Sequence, residues 1–440
     1  MTKQVNTREI ILDVLLAVTR DGAFCHVVLS DVLTKYGYLD KRDRSFISRV
    51  CHGTLERMPE LDGILNRFSS VKVSKMKPAI RCILRSALYQ MLYMDSVPDS
   101  AACNEAVKLA GKRGFQNLKG FVNGVLRNIA RNKNEIKYPD KSDFLEYMEK
   151  KYSILPWMTT LWEESLDREE IEGLAQAFLV EGPTCVRVSR DKVAVEQLCE
   201  RLSKQEITVE KSDRYEDVLY LSGYDSLNRI PEFQEGLFSV QDVSSMEVGR
   251  LLDPKPGELG IDVCAAPGGK SIHAAQLMTQ NTSGEVTGKI YARDLSEAKV
   301  SLIMDNLKRT GVTNVTAQCM DATVLDETMV GKADFVIADL PCSGLGVLGK
   351  KPDIKYHTSL EKVQELSALQ RQILDVVCRY VKPGGRMVYS TCTINHLENQ
   401  DNTAWFLEKH PDFQRIEERQ LLAKAGRQDG FYYVLLKKGD

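Results

Sequence analysis

From about residue 236 onward the chain alternates short apolar runs with helical stretches, and this alternation constrains the fold more than any other feature. The strand candidates are 260–264, 289–292, 315–319, 333–338 and 386–390. Helical spacing fills the gaps at 270–278, 297–310 and 360–381. Strand–helix alternation with short apolar strands predicts a parallel, doubly wound α/β sheet. Such sheets bind ligands beyond the carboxyl ends of their strands. Each candidate strand here ends in residues suited to chemistry.

The first 135 residues read differently. Apolar residues recur at helical spacing, as in Ile80, Ile83, Leu84, Ala87, Leu88, Met91 and Leu92, and no strand signal interrupts them. An all-α module is expected over 1–135. A polar stretch with Lys133, Lys137, Pro139 and Lys141 follows as a linker. Helical pattern resumes over 144–152 and 156–180. The texture of 181–235 then predicts a small α+β insert, with strands at 184–188 and 218–221 and a helix at 193–202. The expected multidomain division is 1–135, 136–235 and 236–440.

The net charge of −2 conceals an asymmetry. Residues 1–135 carry 22 Lys and Arg against 13 Asp and Glu, a balance of +9, so the remainder carries −11. A basic module points to an anionic partner, with nucleic acid first. The 11 cysteines form no close-spaced pairs, which argues for a reducing compartment. Without a CxxC pair or a His cluster, no metal is expected. The first residues show no leader, and no apolar run approaches membrane-spanning length. A cytoplasmic, monomeric protein with no membrane partner is expected.

The first motif is Asp262-Val-Cys264-Ala265-Ala266-Pro267-Gly268-Gly269-Lys270, strand to turn to helix. Its glycines permit close backbone approach, and the helix N-terminus offers free N–H groups to an anion. Asp294 closes the second strand, 25–26 residues past the glycines, near the separation at which an acidic residue meets ribose hydroxyls. Asp321 follows the third strand and could meet an adenine amino group. Asp339-Leu-Pro-Cys342-Ser-Gly344 ends the fourth, and Ser390-Thr-Cys392 ends the fifth after a Pro383-Gly-Gly turn. Free cysteines are usually buried small hydrophobes, and Cys264 and Cys378 fit that description. Cys342 and Cys392 instead sit in polar turns at strand ends. Two thiols and a carboxylate converging on one pocket suit covalent activation of a ring by thiolate addition. From the residues alone, either cysteine could attack.

At these residues the chain resembles the bacterial ribosomal RNA 5-methylcytosine methyltransferases of the RsmB (Sun/Fmu) type, kin to the NOL/NOP/Sun enzymes. The resemblance runs over nearly the whole length. The N-terminal helices, from Arg8-Glu-Ile-Ile to Phe121-Val-Asn-Gly-Val-Leu-Arg127, are similar to a NusB-like RNA-binding module. Phe238-Ser-Val-Gln-Asp242 through Lys270, Pro352-Asp-Ile-Lys355 and Asp429-Gly-Phe-Tyr-Tyr433 are similar to the catalytic half. The family implies a Rossmann-like domain that uses S-adenosylmethionine, bound along Cys264, Ala265, Ala266, Pro267, Gly268, Gly269 and Lys270. Asp294 would meet its ribose, and Asp321 and Asp339 would complete the cofactor site. The resemblance further implies that Cys392 attacks C6 of a cytosine, Cys342 assists release, Asp339 contacts the base and Lys270 sits beside it. The implied substrate is small-subunit (16S) ribosomal RNA. Transfer RNA as substrate and a non-catalytic RNA-binding assembly factor are the competing readings. The chain departs from the family pattern at Leu340, Leu397 and Ser189.

Overall fold

The computed structural model describes residues 5–279 and 287–440. Residues 1–4, the start of the stretch inspected for a leader, lie outside the described residues. Two units result, one of Met1–Leu179 with Leu348–Ser359, the other of Val180–Val347 with Leu360–Asp440.

The first unit is helical, as its periodicity predicts. Its helices include Thr7–Thr19, Lys41–Glu56, Pro78–Tyr93 and Lys119–Arg131. Local chemistry sets where they start. Asn6 accepts from the backbone N–H groups of Arg8 and Glu9, and Asp40 accepts from that of Asp43. The stretch 156–180 splits into Pro156–Glu163 and Arg168–Phe178, because Asp167 and Glu170 build a capping box that starts a new helix. Ile11, Leu15, Ile47, Val50, Leu84, Leu88 and Leu126 are buried in one continuous core.

Leu348–Ser359 belongs to this helical unit although it follows the Cys342 loop in the chain. The Lys355 ammonium donates to the backbone oxygens of Glu56 (2.6 Å) and Ser153 (2.9 Å). Asp353 accepts from the Cys25 backbone N–H at 2.8 Å. The Pro352-Asp-Ile-Lys355 motif, similar in sequence to a catalytic half, is therefore held by helical-unit contacts.

The second unit holds two sheets. In the smaller, β1 (Thr184–Val188), β2 (Thr208–Lys211), β3 (Val218–Ser222) and β4 (Phe238–Val240) lie antiparallel in the order β2-β3-β1-β4. Its fourth strand comes from just past residue 235. The larger sheet comprises β5 (Leu259–Asp262), β6 (Lys289–Asp294), β7 (Val315–Cys319), β8 (Ala333–Asp339), β9 (Val381–Thr391), β10 (Phe413–Leu421) and β11 (Phe431–Lys438). Their order is β10-β11-β9-β8-β5-β6-β7. The five strands expected to be parallel are parallel.

Two features differ from expectation. The sheet is mixed, because β11 pairs antiparallel with β9 and β10 pairs antiparallel with β11. The edge strand β10 reads Phe-Gln-Arg-Ile-Glu-Glu-Arg-Gln-Leu, and charges that protect a sheet edge also hide its strand signal. The Pro383-Gly-Gly segment is no separate turn before β9. It lies within the strand beside a register shift against β8, with Gly384 at φ +69°.

Phe335, Val336, Ile337 and Val388 are fully buried, each contributing about 1.5–3 kcal/mol of burial energy. Gly260 in β5 makes room for Phe335, since a Cβ there would lie 2.2 Å from the ring. Gly260→Ala is expected to lower stability by about 1–3 kcal/mol through overpacking. A urea titration should show a reduced midpoint at unchanged slope.

Candidate active site

The carboxyl ends of β5, β6, β8 and β9 carry the site. β8 pairs in parallel with β9, Asp339 opposite Ser390. Both strands therefore release their chains at the same edge, and the two cysteines meet. Cys342 Sγ lies 3.4 Å from Cys392 Sγ. This contact, followed by burial, pushes the Cys342 thiol well above its ordinary pKa. Either sulfur can donate to the other in this contact.

The Lys270 ammonium, in the first turn of the helix Gly269–Thr279, contacts Asp339 Oδ2 at 2.5 Å. Ser390 Oγ donates to Asp339 Oδ1 at 2.7 Å. Burial disfavours the Lys270 charge, but the Asp339 carboxylate outweighs it and raises the ammonium's pKa. Asp262 and Cys392 act in the same direction. A cation is thus fixed beside the two-cysteine edge, held by Asp339. The Lys270 ammonium also stands 5.5 Å from the centre of the Phe431 ring.

The glycine turn is tied to β6. Ala265 N–H donates to the Arg293 oxygen at 2.8 Å, and Ala266 N–H donates to Asp294 Oδ2 at 2.9 Å. Asp294 also accepts from Leu295 N–H and pairs with Lys299 at 3.0 Å. Gly268 has φ +102°, a conformation that side chains with a Cβ resist. A Cβ at Gly269 would meet nothing within 4 Å, so the backbone there is open to an approaching group. The Cys264 thiol is pushed up by burial, which suits a packing role. Asp262 is 1% exposed, and burial raises its carboxyl to about 7. Its Oδ2 accepts from Ser271 Oγ at 2.6 Å, while Oδ1 is buried without a partner.

The structure thus gathers Lys270, Asp339, Cys342 and Cys392 at one edge, and joins Ala265, Ala266 and Asp294 in a second group. Asp321 stands apart. Its carboxylate accepts from the Thr323 hydroxyl and N–H, which lowers its pKa, and no hydrogen bond links it to the glycine turn among the described residues.

Sequence reasoning missed a buried network behind the cysteines. Ser343 Oγ lies 2.7 Å from Thr393 Oγ1, and Gln370 Nε2 donates to the Pro341 oxygen at 2.8 Å. Gly346 N–H donates to the Cys392 oxygen at 3.1 Å, and Gly430 N–H donates to the Gly346 oxygen at 2.9 Å. Glu398 and Asn395, three residues apart just past Cys392, lie at its centre. Their spacing after a strand end was the available signal.

Three family models match separate stretches of the chain. The NusB family matches residues 5–131, and the RsmF/B-like ferredoxin-like domain matches 156–226. The 16S rRNA methyltransferase RsmB/F family matches 249–437. A probable ribosomal RNA small subunit methyltransferase B of Bacillus subtilis (strain 168) is 34% identical, with 99% of each chain aligned. Its counterpart in Synechocystis is 30% identical over 99% of this chain and 100% of its own. The crystal structure of a methyltransferase homolog from Pyrococcus horikoshii is 28% identical with a TM-score of 0.57, covering 66% of this chain and 97% of its own. The fold is a NusB-like helical domain, a ferredoxin-like insert and a Rossmann-like methyltransferase domain. The chain belongs to the RsmB/F methyltransferase family, whose methyl donor is S-adenosylmethionine.

Proposed function

We propose that this chain methylates C5 of a specific cytosine in 16S ribosomal RNA through a covalent cysteine–C6 adduct, in the cytoplasm. The observation that carries this reading is the 3.4 Å sulfur–sulfur contact beside the Lys270–Asp339 pair. In this division of labour, 1–135 binds RNA, 136–235 connects and supports, and 236–440 catalyses.

The glycine turn fits S-adenosylmethionine. The unpartnered, buried Asp262 Oδ1 is an acceptor in want of a donor, and the cofactor carries an ammonium. Gly268, Gly269 and the N–H groups of the following helix suit its carboxylate. Cys264, Ala265, Ala266 and Pro267 would line it, Asp294 would accept from the ribose and Asp321 from the adenine end. Bound there, the cofactor supplies an electrophilic methyl group.

The protein's own groups do the rest. C5 of cytosine is a poor nucleophile. Addition of the Cys392 thiolate to C6 makes the ring enamine-like and C5 reactive. Asp339 contacts the base, and the Lys270 ammonium beside it offsets the negative charge that develops toward N3. After methylation a base takes the C5 proton, the C5–H electron pair restores the C5=C6 double bond, and the sulfur–C6 pair leaves with Cys392 as thiolate. Cys342, touching that sulfur, assists this release. A base stacked in a duplex cannot reach such a site, so the target cytosine is flipped or single-stranded.

The helical unit supports an RNA partner. Between Asp62 and Asp95 lie six basic residues and no acidic one. Lys108, Lys112, Arg113 and Lys133 are paired with carboxylates. Arg67, Lys72, Lys75, Lys77, Arg127 and Arg131 form no ion pair among the described residues. Their elements adjoin. Asn128 donates to the Phe68 oxygen at 3.2 Å, and Asn66 accepts from Val73 N–H at 2.8 Å. The result is one unneutralised basic surface, matched to a phosphate backbone.

Cys392→Ala is expected to abolish methyl transfer from labelled S-adenosylmethionine. Cys342→Ala should instead accumulate a covalent RNA–protein adduct, seen as a gel shift that survives denaturant. An adduct with Cys392→Ala would reverse the roles. Label entering transfer RNA in preference to 16S RNA would overturn the substrate. For the basic surface, Lys72→Glu with Lys75→Glu should raise KM for RNA and leave kcat unchanged. The slope of log affinity against log salt should fall by about 0.7–0.9 for each phosphate that the variant no longer neutralises.

A further inference from the structure

Glu398 is fully buried in the catalytic unit, at 0% exposure. Burying a carboxylate is costly unless hydrogen bonds replace its water. Here four donors from three segments converge on it. From the Cys342 loop, Ser343 N–H donates to Oε1 at 2.9 Å and Ser343 Oγ donates to Oε2. From the chain after Cys392, Asn395 Nδ2 donates to Oε2 at 2.7 Å. From the helix Leu360–Val377, Gln370 Nε2 donates to Oε1 at 3.0 Å. The Glu398 N–H in turn donates to Asn395 Oδ1 at 2.9 Å, and its backbone oxygen accepts from the Tyr389 hydroxyl.

The carboxylate therefore binds the residue after Cys342 and the turn after Cys392 at once. Thr393 reinforces the same bridge, its hydroxyl meeting Ser343 Oγ and accepting from Leu345 N–H at 3.3 Å. No other acidic side chain of the unit joins both cysteine loops among the described hydrogen bonds. A group required only for packing would be better served by an apolar side chain, because a buried carboxylate contributes little net stability.

We propose that Glu398 is a positioning residue that clamps the Cys342 and Cys392 loops together and so sets the contact between their sulfurs. This rests on the two-cysteine chemistry above. The clamp acts through geometry and through charge. Burial raises the Glu398 carboxyl and its hydrogen bonds lower it, and its charge adds to the contacts that push the Cys342 thiol up. An amide in place of the carboxylate has one acceptor fewer and turns an N–H group toward groups that donate. Glu398→Gln should therefore loosen the loops without emptying the space.

The test measures kinetics and thiol reactivity together. Glu398→Gln should lower kcat by about 100-fold while KM for S-adenosylmethionine stays near wild type, the scale expected for small misplacement of reacting groups. Adding it to Cys342→Ala should slow adduct formation. In a Cys392→Ser background, Glu398→Gln should let Cys342 react with iodoacetamide at lower pH. Ser343→Ala removes one donor and should show the same changes in weaker form, which keeps the test open if Glu398→Gln does not fold. A kcat within about threefold of wild type per folded molecule, with an unmoved alkylation profile, would overturn the clamp. If Cys392→Ala keeps methyl transfer, the cysteine chemistry fails instead. The alkylation profile, measured without RNA, still decides the clamp in that case.

Discussion

The parallel pairing of β8 with β9 is the constraint on which the site depends. Parallel strands point the same way, so both release their chains at one edge of the sheet. With Asp339 opposite Ser390, the loops that follow start side by side. Ser390 binds the Asp339 carboxylate across the pair, and the two sulfurs meet a few residues later. An antiparallel neighbour would have sent one cysteine to the opposite edge.

Side-chain chemistry then surrounds the two thiols. The Lys270 cation is fixed by Asp339, which raises its pKa against burial. The Cys342 thiol is pushed up by its contact with Cys392, by burial and by nearby carboxylates. Behind them, the bonds among Ser343, Thr393, Asn395 and Glu398 replace the water that buried polar loops would otherwise need.

Much of this was legible in the sequence. The five parallel strands, the all-α N-terminal module and the glycine turn follow from periodicity and turn residues, which act locally. Other features were hidden. The charged edge strand β10 lacks an apolar alternation, and the Pro383-Gly-Gly segment carries a turn signature although neighbouring strands hold it in the sheet. Glu398 looked like one more acid in a polar stretch. Its importance lies in partners at Ser343, Gln370 and Asn395, two of them far away in the chain. Pro352-Asp-Ile-Lys355 is a related case. It falls within the stretch matched by the methyltransferase family, and only the structure shows that Lys355 bonds to helical-unit backbone.

By itself the sequence determined the class of fold, the strand ends at which chemistry occurs and the residue types available there, because hydrophobic period, caps and glycines operate within a few residues. Only the tertiary structure decided which of those residues meet. Strand order and register placed Cys342 against Cys392 and Lys270 against Asp339, and left Asp321 in its own turn. Such contacts join positions tens of residues apart, and no local rule specifies them.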